Sequence, residues 1–133
     1  MHLLFVDDEI SVRRLGGRIL VKLGATVTLL DDGDRLEAAL RDAPLPVHAV
    51  LMDIIMERSD GVSVCTAVRR AGFTRLPIIV MSGTATIDDL AKFQAAGFDV
   101  VLPKPFDART LLRAVEEAKE RRGRQVEAEL GGL

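Results

Sequence analysis

Residues 3–9, Leu3-Leu4-Phe5-Val6-Asp7-Asp8-Glu9, decide the fold: a short apolar run meets a cluster of carboxylates without a break. A continuous apolar run of this length, stopped by polar residues, reads as a strand buried on both faces. Similar runs recur at Thr26–Leu30, Ala49–Met52, Ile78–Met81 and Val100–Leu102, all rich in Val, Ile and Leu. The segments between them are long enough for helices, so five βα units are predicted. Right-handed crossovers then give an α/β fold, a doubly wound five-stranded parallel sheet with five helices on its two faces.

Helical spacing marks each crossover. Leu15, Ile19 and Leu23 recur four apart in the first helix, which Gly24 ends. Leu36 and Leu40 mark the second, Val64 and Val68 the third, Ile87, Leu90 and Ala91 the fourth, and Leu111, Leu112 and Val115 the fifth. Pro44 and Pro46 follow the second helix, Gly72 the third and Gly97 the fourth, while Asp107 stands at the N-cap position of the fifth. Gly16-Gly17 inside the first helix is unusual, since each glycine costs about 1 kcal/mol relative to alanine. Cys65, Phe93 and Phe98 read as core residues.

The chain has 133 residues, 48% hydrophobic and 29% charged, which fits one domain with a packed core. Residues 1–122 are predicted to form the domain and 123–133 a short tail. A net charge of −2 gives no general attraction to nucleic acid or to an anionic membrane. Arg121-Arg122-Gly123-Arg124 reads as a solvated helix end, with Glu116, Glu117 and Glu120 alongside. A single cysteine and two histidines offer no thiolate or imidazole metal cluster. The apolar start lacks the length of a signal peptide, and no apolar run approaches the ~18 residues of a membrane span. A cytoplasmic setting is the expectation.

In doubly wound sheets, ligands bind at the carboxyl ends of the strands. There the sequence places Asp7 and Asp8 after the first strand, Asp53 after the third, Ser82-Gly83-Thr84 after the fourth and Lys104-Pro105 after the fifth. Two like charges about 4 Å apart repel by ~4 kcal/mol at an effective dielectric near 20, so converging carboxylates need a cation or raised pKa values. All-oxygen ligands favour Mg²⁺, with Mn²⁺ an alternative. A bound cation and Lys104 would draw in phosphoryl oxygens, Ser82 could donate to one of them, and a carboxylate could then act as nucleophile. Asp53, alone at its strand end, suits that role, and Asp7 and Asp8 look like a metal-binding pair. Thr84 reads as structural.

Val6-Asp7-Asp8-Glu9, Met52-Asp53-Ile54-Ile55-Met56 with Gly61, Met81-Ser82-Gly83-Thr84 and Lys104-Pro105-Phe106, in this order, resemble the receiver domain of two-component response regulators. The resemblance covers residues 2 to about 121. It implies a flavodoxin-like sheet of order 2-1-3-4-5 and phosphoryl transfer to Asp53 from phosphohistidine on a histidine kinase or a phosphotransfer protein. It also implies Mg²⁺ held by Asp7, Asp8, Asp53 and the backbone carbonyl of Ile55, with Ser82 and Lys104 on the phosphoryl group and a cis Lys104-Pro105 bond. Output would pass through contacts with a downstream protein target, from a monomer or weak homodimer. By the same resemblance the first helix docks the phosphodonor, with Val12 and Gly16 as candidate contacts.

Three positions depart from the family pattern. Glu57 stands where a proline is usual, Val101 where an aromatic is usual, and Ile55 where many relatives carry a polar side chain. Val101 removes the usual aromatic switch, so movement of Ser82 and its loop is expected to carry conformational change. Ile55 is expected to slow loss of the phosphoryl group by excluding water. Rival readings are a receiver module of a hybrid kinase, a Mg²⁺-dependent aspartyl-phosphate phosphatase and a flavodoxin-like FMN protein. The phosphatase normally needs a second aspartate just after the nucleophile, where Ile54 and Ile55 stand. The FMN protein needs a phosphate cradle where Asp7-Asp8-Glu9 would repel one.

Overall fold

A computed structural model describes residues 1–84 and 87–131, without the side chains of 87 and 88. The expected strands are present as β1 (His2–Val6), β2 (Thr26–Leu30), β3 (Ala49–Asp53), β4 (Ile78–Ser82) and β5 (Val100–Pro103). They form one sheet, order β2-β1-β3-β4-β5, with every pairing parallel. The helices are α1 (Ile10–Lys22), α2 (Leu36–Asp42), α3 (Gly61–Arg70), α4 (Ile87–Ala96) and α5 (Ala108–Gly131), with one 3-10 turn, Gly33–Arg35, before α2. β1, β3 and β4 are buried along almost their whole length, which is why they read as unbroken apolar runs. The sheet separates two cores. One gathers Leu4, Val6, Val50, Met52, Ile78 and Val80 with Cys65, Phe93 and Phe98; the other gathers Leu3, Phe5, Leu51, Ile79 and Met81 with Leu20, Leu111 and Val115.

Helix ends follow the sequence. Gly24 and Gly72 take φ of 89° and 106°, the left-handed region open to a residue without Cβ. The Asp107 carboxylate accepts the Thr110 amide at 2.9 Å and caps α5.

Helix faces are less simply read. In α1 the buried residues are Gly16, Gly17 and Leu20, whereas Leu15 and Leu23 are exposed. Of the expected Leu15, Ile19 and Leu23 stripe, Ile19 packs against the core and the two leucines do not. α1 instead lays its two glycines on the sheet, close enough that a Cβ on Gly16 would collide with the Phe5 ring and one on Gly17 would meet Leu29 Cδ2 at 3.3 Å. In α4 the buried side chains are Phe93 and Ala96, packed inward through a Phe93–Phe98 edge-to-face contact at 6.0 Å, and Leu90 and Ala91 face outward. The Ile87 side chain lies outside the described residues.

α5 departs most from expectation. It runs without interruption to Gly131, so 123–131 continue the helix instead of forming a separate tail. Arg122, expected in solvent, is buried. Its Nε donates to Asp99 Oδ1 at 2.9 Å and its Nη2 to Gly97 O at 3.0 Å. Asp99 also accepts Arg69 Nη2 at 3.2 Å and the Ile78 amide at 2.9 Å. Burial of a charge is tolerated when it is paired and hydrogen-bonded, and this cluster satisfies both conditions. It ties α3, β4, the start of β5 and α5 together at the end of the sheet opposite the acidic loops.

Candidate functional site

Strand order sets the site. β1 and β3 are neighbours with Val6 opposite Met52, so the next residues, Asp7 and Asp53, leave the sheet side by side. Asp53 itself stands opposite Met81, one residue before Ser82. Lys104 follows β5 after a Ser82–Pro103 pairing, its amide donates to Ser82 O at 2.9 Å, and its bond to Pro105 is cis.

The structure brings Asp7, Asp8, Asp53 and Lys104 together. Carboxylate oxygens of the three aspartates lie within 4.8 Å of one another. Lys104 Nζ donates to Asp7 Oδ2 at 2.8 Å and lies 3.3 Å from Asp53 Oδ2. Asp7 is fully buried, accepts the Glu9 amide at 2.9 Å on Oδ1, and its carbonyl accepts Arg13 Nη1 at 2.8 Å. Asp53 Oδ1 accepts the Ile54 amide at 2.8 Å. Burial, and then the charge of Asp7, push the Asp53 carboxyl above its ordinary value, although Lys104 and the Ile54 amide pull the other way. Burial alone would lower the Lys104 pKa, but its bonds to Asp7 and the charge of Asp53 outweigh that and raise it.

Three carboxylates served by one ammonium leave excess negative charge in a half-buried pocket. Oxygens on one small dication at 2.0–2.1 Å lie no more than ~4.2 Å apart, so slight inward movement of this trio fits Mg²⁺, and the donor set is all oxygen. Ile55 follows Asp53 by two residues on the β3–α3 loop and is 72% exposed. A cleft of about 420 Å³ opens between Ile55, Ser82, Thr84 and Lys92. Ser82 is buried at its edge, and its Oγ accepts the Thr84 amide at 3.2 Å.

The two candidate docking residues differ in their exposure on α1. Val12 is half-buried against the core, and Gly16 faces Phe5, so Gly16 offers no surface to a partner. Sequence reasoning missed Asp32, which is fully buried under the β3–α3 loop and bonded to Arg58 N and Ser59. In the sequence it stands in Asp31-Asp32-Gly33-Asp34, which reads only as a polar turn.

Acidic groups and a lysine at the carboxyl ends of parallel strands, beside the point where strand order reverses, define a doubly wound protein whose strand-end loops gather a trio of carboxylates that could hold a cation. Comparison with known proteins supplies the family. The model of the response regulator receiver domain matches residues 3–116, and the chain belongs to that family. It is 37% identical over 116 residues to the response regulator MprA of Mycobacterium leprae, covering 86% of this chain and 49% of that protein. It is 30% identical to the protein PilG of Pseudomonas aeruginosa, covering 87% of this chain and 85% of PilG. A probable histidine kinase 2 of Oryza sativa subsp. indica is 33% identical over 131 residues, 86% of this chain and 12% of the kinase. The chain thus spans about half the length of MprA and a small part of the kinase. The chemotaxis protein CheY4 of Vibrio cholerae superposes with a TM-score of 0.81 at 26% identity, over 88% of this chain and 97% of CheY4. No helix among the described residues is long and apolar enough to cross a membrane.

Proposed function

We propose that this receiver is a phosphorylation switch or relay in which Asp53 accepts a phosphoryl group from phosphohistidine on a histidine kinase or a phosphotransfer protein. An Asp53 carboxylate oxygen forms the bond to phosphorus, the phosphorus–nitrogen bond breaks, and the imidazole leaves with the electron pair and takes up a proton. Asp7, Asp8, Asp53 and the Ile55 carbonyl would hold Mg²⁺, or Mn²⁺ in its place. Such an ion neutralises charge on the transferring oxygens. Lys104 contributes a second positive charge, and Ser82, at the edge of the cleft, donates a hydrogen bond to the acyl phosphate.

The supporting observation is the convergence of three carboxylates and one ammonium at the strand ends. The protein is a signalling module that catalyses its own phosphorylation and dephosphorylation, works in the cytoplasm, and passes its state to a downstream protein as a monomer or weak homodimer. Intact mass after incubation with acetyl phosphate and Mg²⁺ tests the assignment. Native protein should gain one phosphoryl mass, lost in base or hydroxylamine, and Asp53→Asn should gain none; equal labelling of both would defeat it. A second reading, that the module serves within a hybrid kinase, is favoured by the match to the rice histidine kinase.

A further inference from the structure

The β3–α3 loop is anchored at two levels. At its base Gly61 N donates to Ile54 O at 2.7 Å, and Gly61 lies so close to Asp53 O that a Cβ would come within 2.8 Å of it. Ile55 and Asp60 form an antiparallel bridge, and Met56 N donates to Ser59 O at 3.1 Å, closing a narrow turn. The tip of that turn rests on another loop altogether. Asp32 Oδ2 accepts the Arg58 amide at 2.8 Å, and Oδ1 accepts the Ser59 hydroxyl in a short bond and the Asp34 amide at 3.4 Å. Beside it, a Cβ on Gly33 would stand 2.9 Å from Val64 and 3.0 Å from both Met56 and Ser59, so the two loops are in direct contact.

Both Asp32 oxygens face donors, an arrangement that suits a carboxylate and not an amide, whose nitrogen would oppose one of them. Burial would raise the pKa of Asp32, but the Ser59 hydroxyl and the amides of Arg58 and Asp34 outweigh it and hold the carboxyl below its ordinary value. Asp32 is therefore ionised at neutral pH. Arg58 closes the circuit by returning its guanidinium to Asp34 at 2.9 Å and Asp31 at 3.1 Å.

We propose that Asp32 and Ser59 are positioning residues for the cation site: by pinning the tip of the turn they fix where the Ile55 carbonyl is presented, although neither touches the ion or the phosphoryl group. The proposal rests on the Mg²⁺ assignment above and extends it to a second loop.

The test measures Mg²⁺ binding to the unphosphorylated full chain by titration calorimetry, with thermal melting by circular dichroism in parallel, for native protein, Asp32→Asn and Ser59→Ala. Outer groups that orient metal ligands are typically worth 10–100-fold in affinity, so Asp32→Asn should bind Mg²⁺ about tenfold more weakly and Ser59→Ala about threefold. Labelling by acetyl phosphate should recover in both when Mg²⁺ is raised in proportion. A folded variant with a lowered melting temperature and native Mg²⁺ affinity shows a merely structural role and overturns the proposal. If Asp32→Asn does not fold, Ser59→Ala decides on the same criterion. Native protein that binds no Mg²⁺ defeats the underlying assignment as well, an outcome distinct from variants that bind like the native chain.

Discussion

The ammonium of Lys104 donates to Asp7 at 2.8 Å, a closer approach than its 3.3 Å to Asp53, whose phosphoryl group it is proposed to meet. The lysine thus occupies, as a cation, the neighbourhood that a metal ion would share. Two unit charges about 4 Å apart interact by ~4 kcal/mol at an effective dielectric near 20. Lys104→Met is therefore expected to tighten Mg²⁺ binding by at least about tenfold while slowing phosphorylation by about 100-fold, since one donor to the transferring oxygens is lost. Calorimetry and time-resolved intact mass would show the two effects moving in opposite directions; weaker Mg²⁺ binding in the variant would refute the competition.

Asp53 should cost the metal-free fold stability. Its carboxyl is raised above the ordinary value of 3.8 by burial and by Asp7. A native acid with a raised pKa holds its proton more tightly than the unfolded chain does, so the penalty is full above the folded pKa and disappears below the ordinary value. As pH falls from neutral through the folded pKa of Asp53, this penalty is progressively relieved. Asp53→Asn, without metal at pH 7, is expected to melt about 3 °C higher, ~1 kcal/mol, with the gap closing toward pH 4. Saturating Mg²⁺ should raise the melting temperature of the native chain and leave the variant nearly unchanged.

At the opposite end of the sheet, Asp99 stands between Arg69 and Arg122. Removing the shared acid leaves one buried and one largely buried guanidinium group near each other without their counter-charge. Asp99→Asn is expected to destabilise by about 3 kcal/mol in chemical denaturation, as for a broken buried pair. Arg122→Met, which leaves the Arg69 pair in place, should cost about 1.5 kcal/mol, the scale of a charged hydrogen bond. An Arg122→Met variant as stable as the native chain would show that the far end of α5 is not fastened there.

The contrast between these two ends explains what the sequence made legible. Buried parallel strands write themselves as apolar runs, and a site at strand ends lies directly after those runs, so Asp7, Asp8, Asp53, Ser82 and Lys104 could be picked out by position. Asp99 with Arg122 and Asp32 with Ser59 are joined across 23 and 27 residues, and no local pattern marks a charge as buried or tells which distant group neutralises it. The inward face of α1 was hidden for another reason: at the middle of its contact surface, beside Leu20, stand two glycines, which carry no hydrophobic signal. Here the two glycines should respond oppositely to alanine. Gly16→Ala drives a methyl into the buried Phe5 ring and should cost about 2 kcal/mol. Gly17→Ala meets only Leu29, whose side chain is partly exposed and can turn aside, so helix propensity should dominate with a gain of up to about 1 kcal/mol. Denaturation midpoints of the two variants would check the signs.

Ile55 stands on the turn that Asp32 supports, 72% exposed and lining the cleft with Ser82 and Thr84. Hydrolysis of the acyl phosphate requires a water to approach phosphorus from the side opposite Asp53, and a hydrocarbon on the rim offers that water neither a hydrogen bond nor room. Ile55→Asn keeps the backbone carbonyl proposed as a ligand and changes only the rim, so Mg²⁺ affinity and labelling by acetyl phosphate should stay native. The phosphoryl half-life should shorten severalfold, because the amide can hold a water where the isoleucine excludes it. A half-life unchanged or lengthened, measured by intact mass after removal of acetyl phosphate, would show that the rate of loss is set elsewhere in the site.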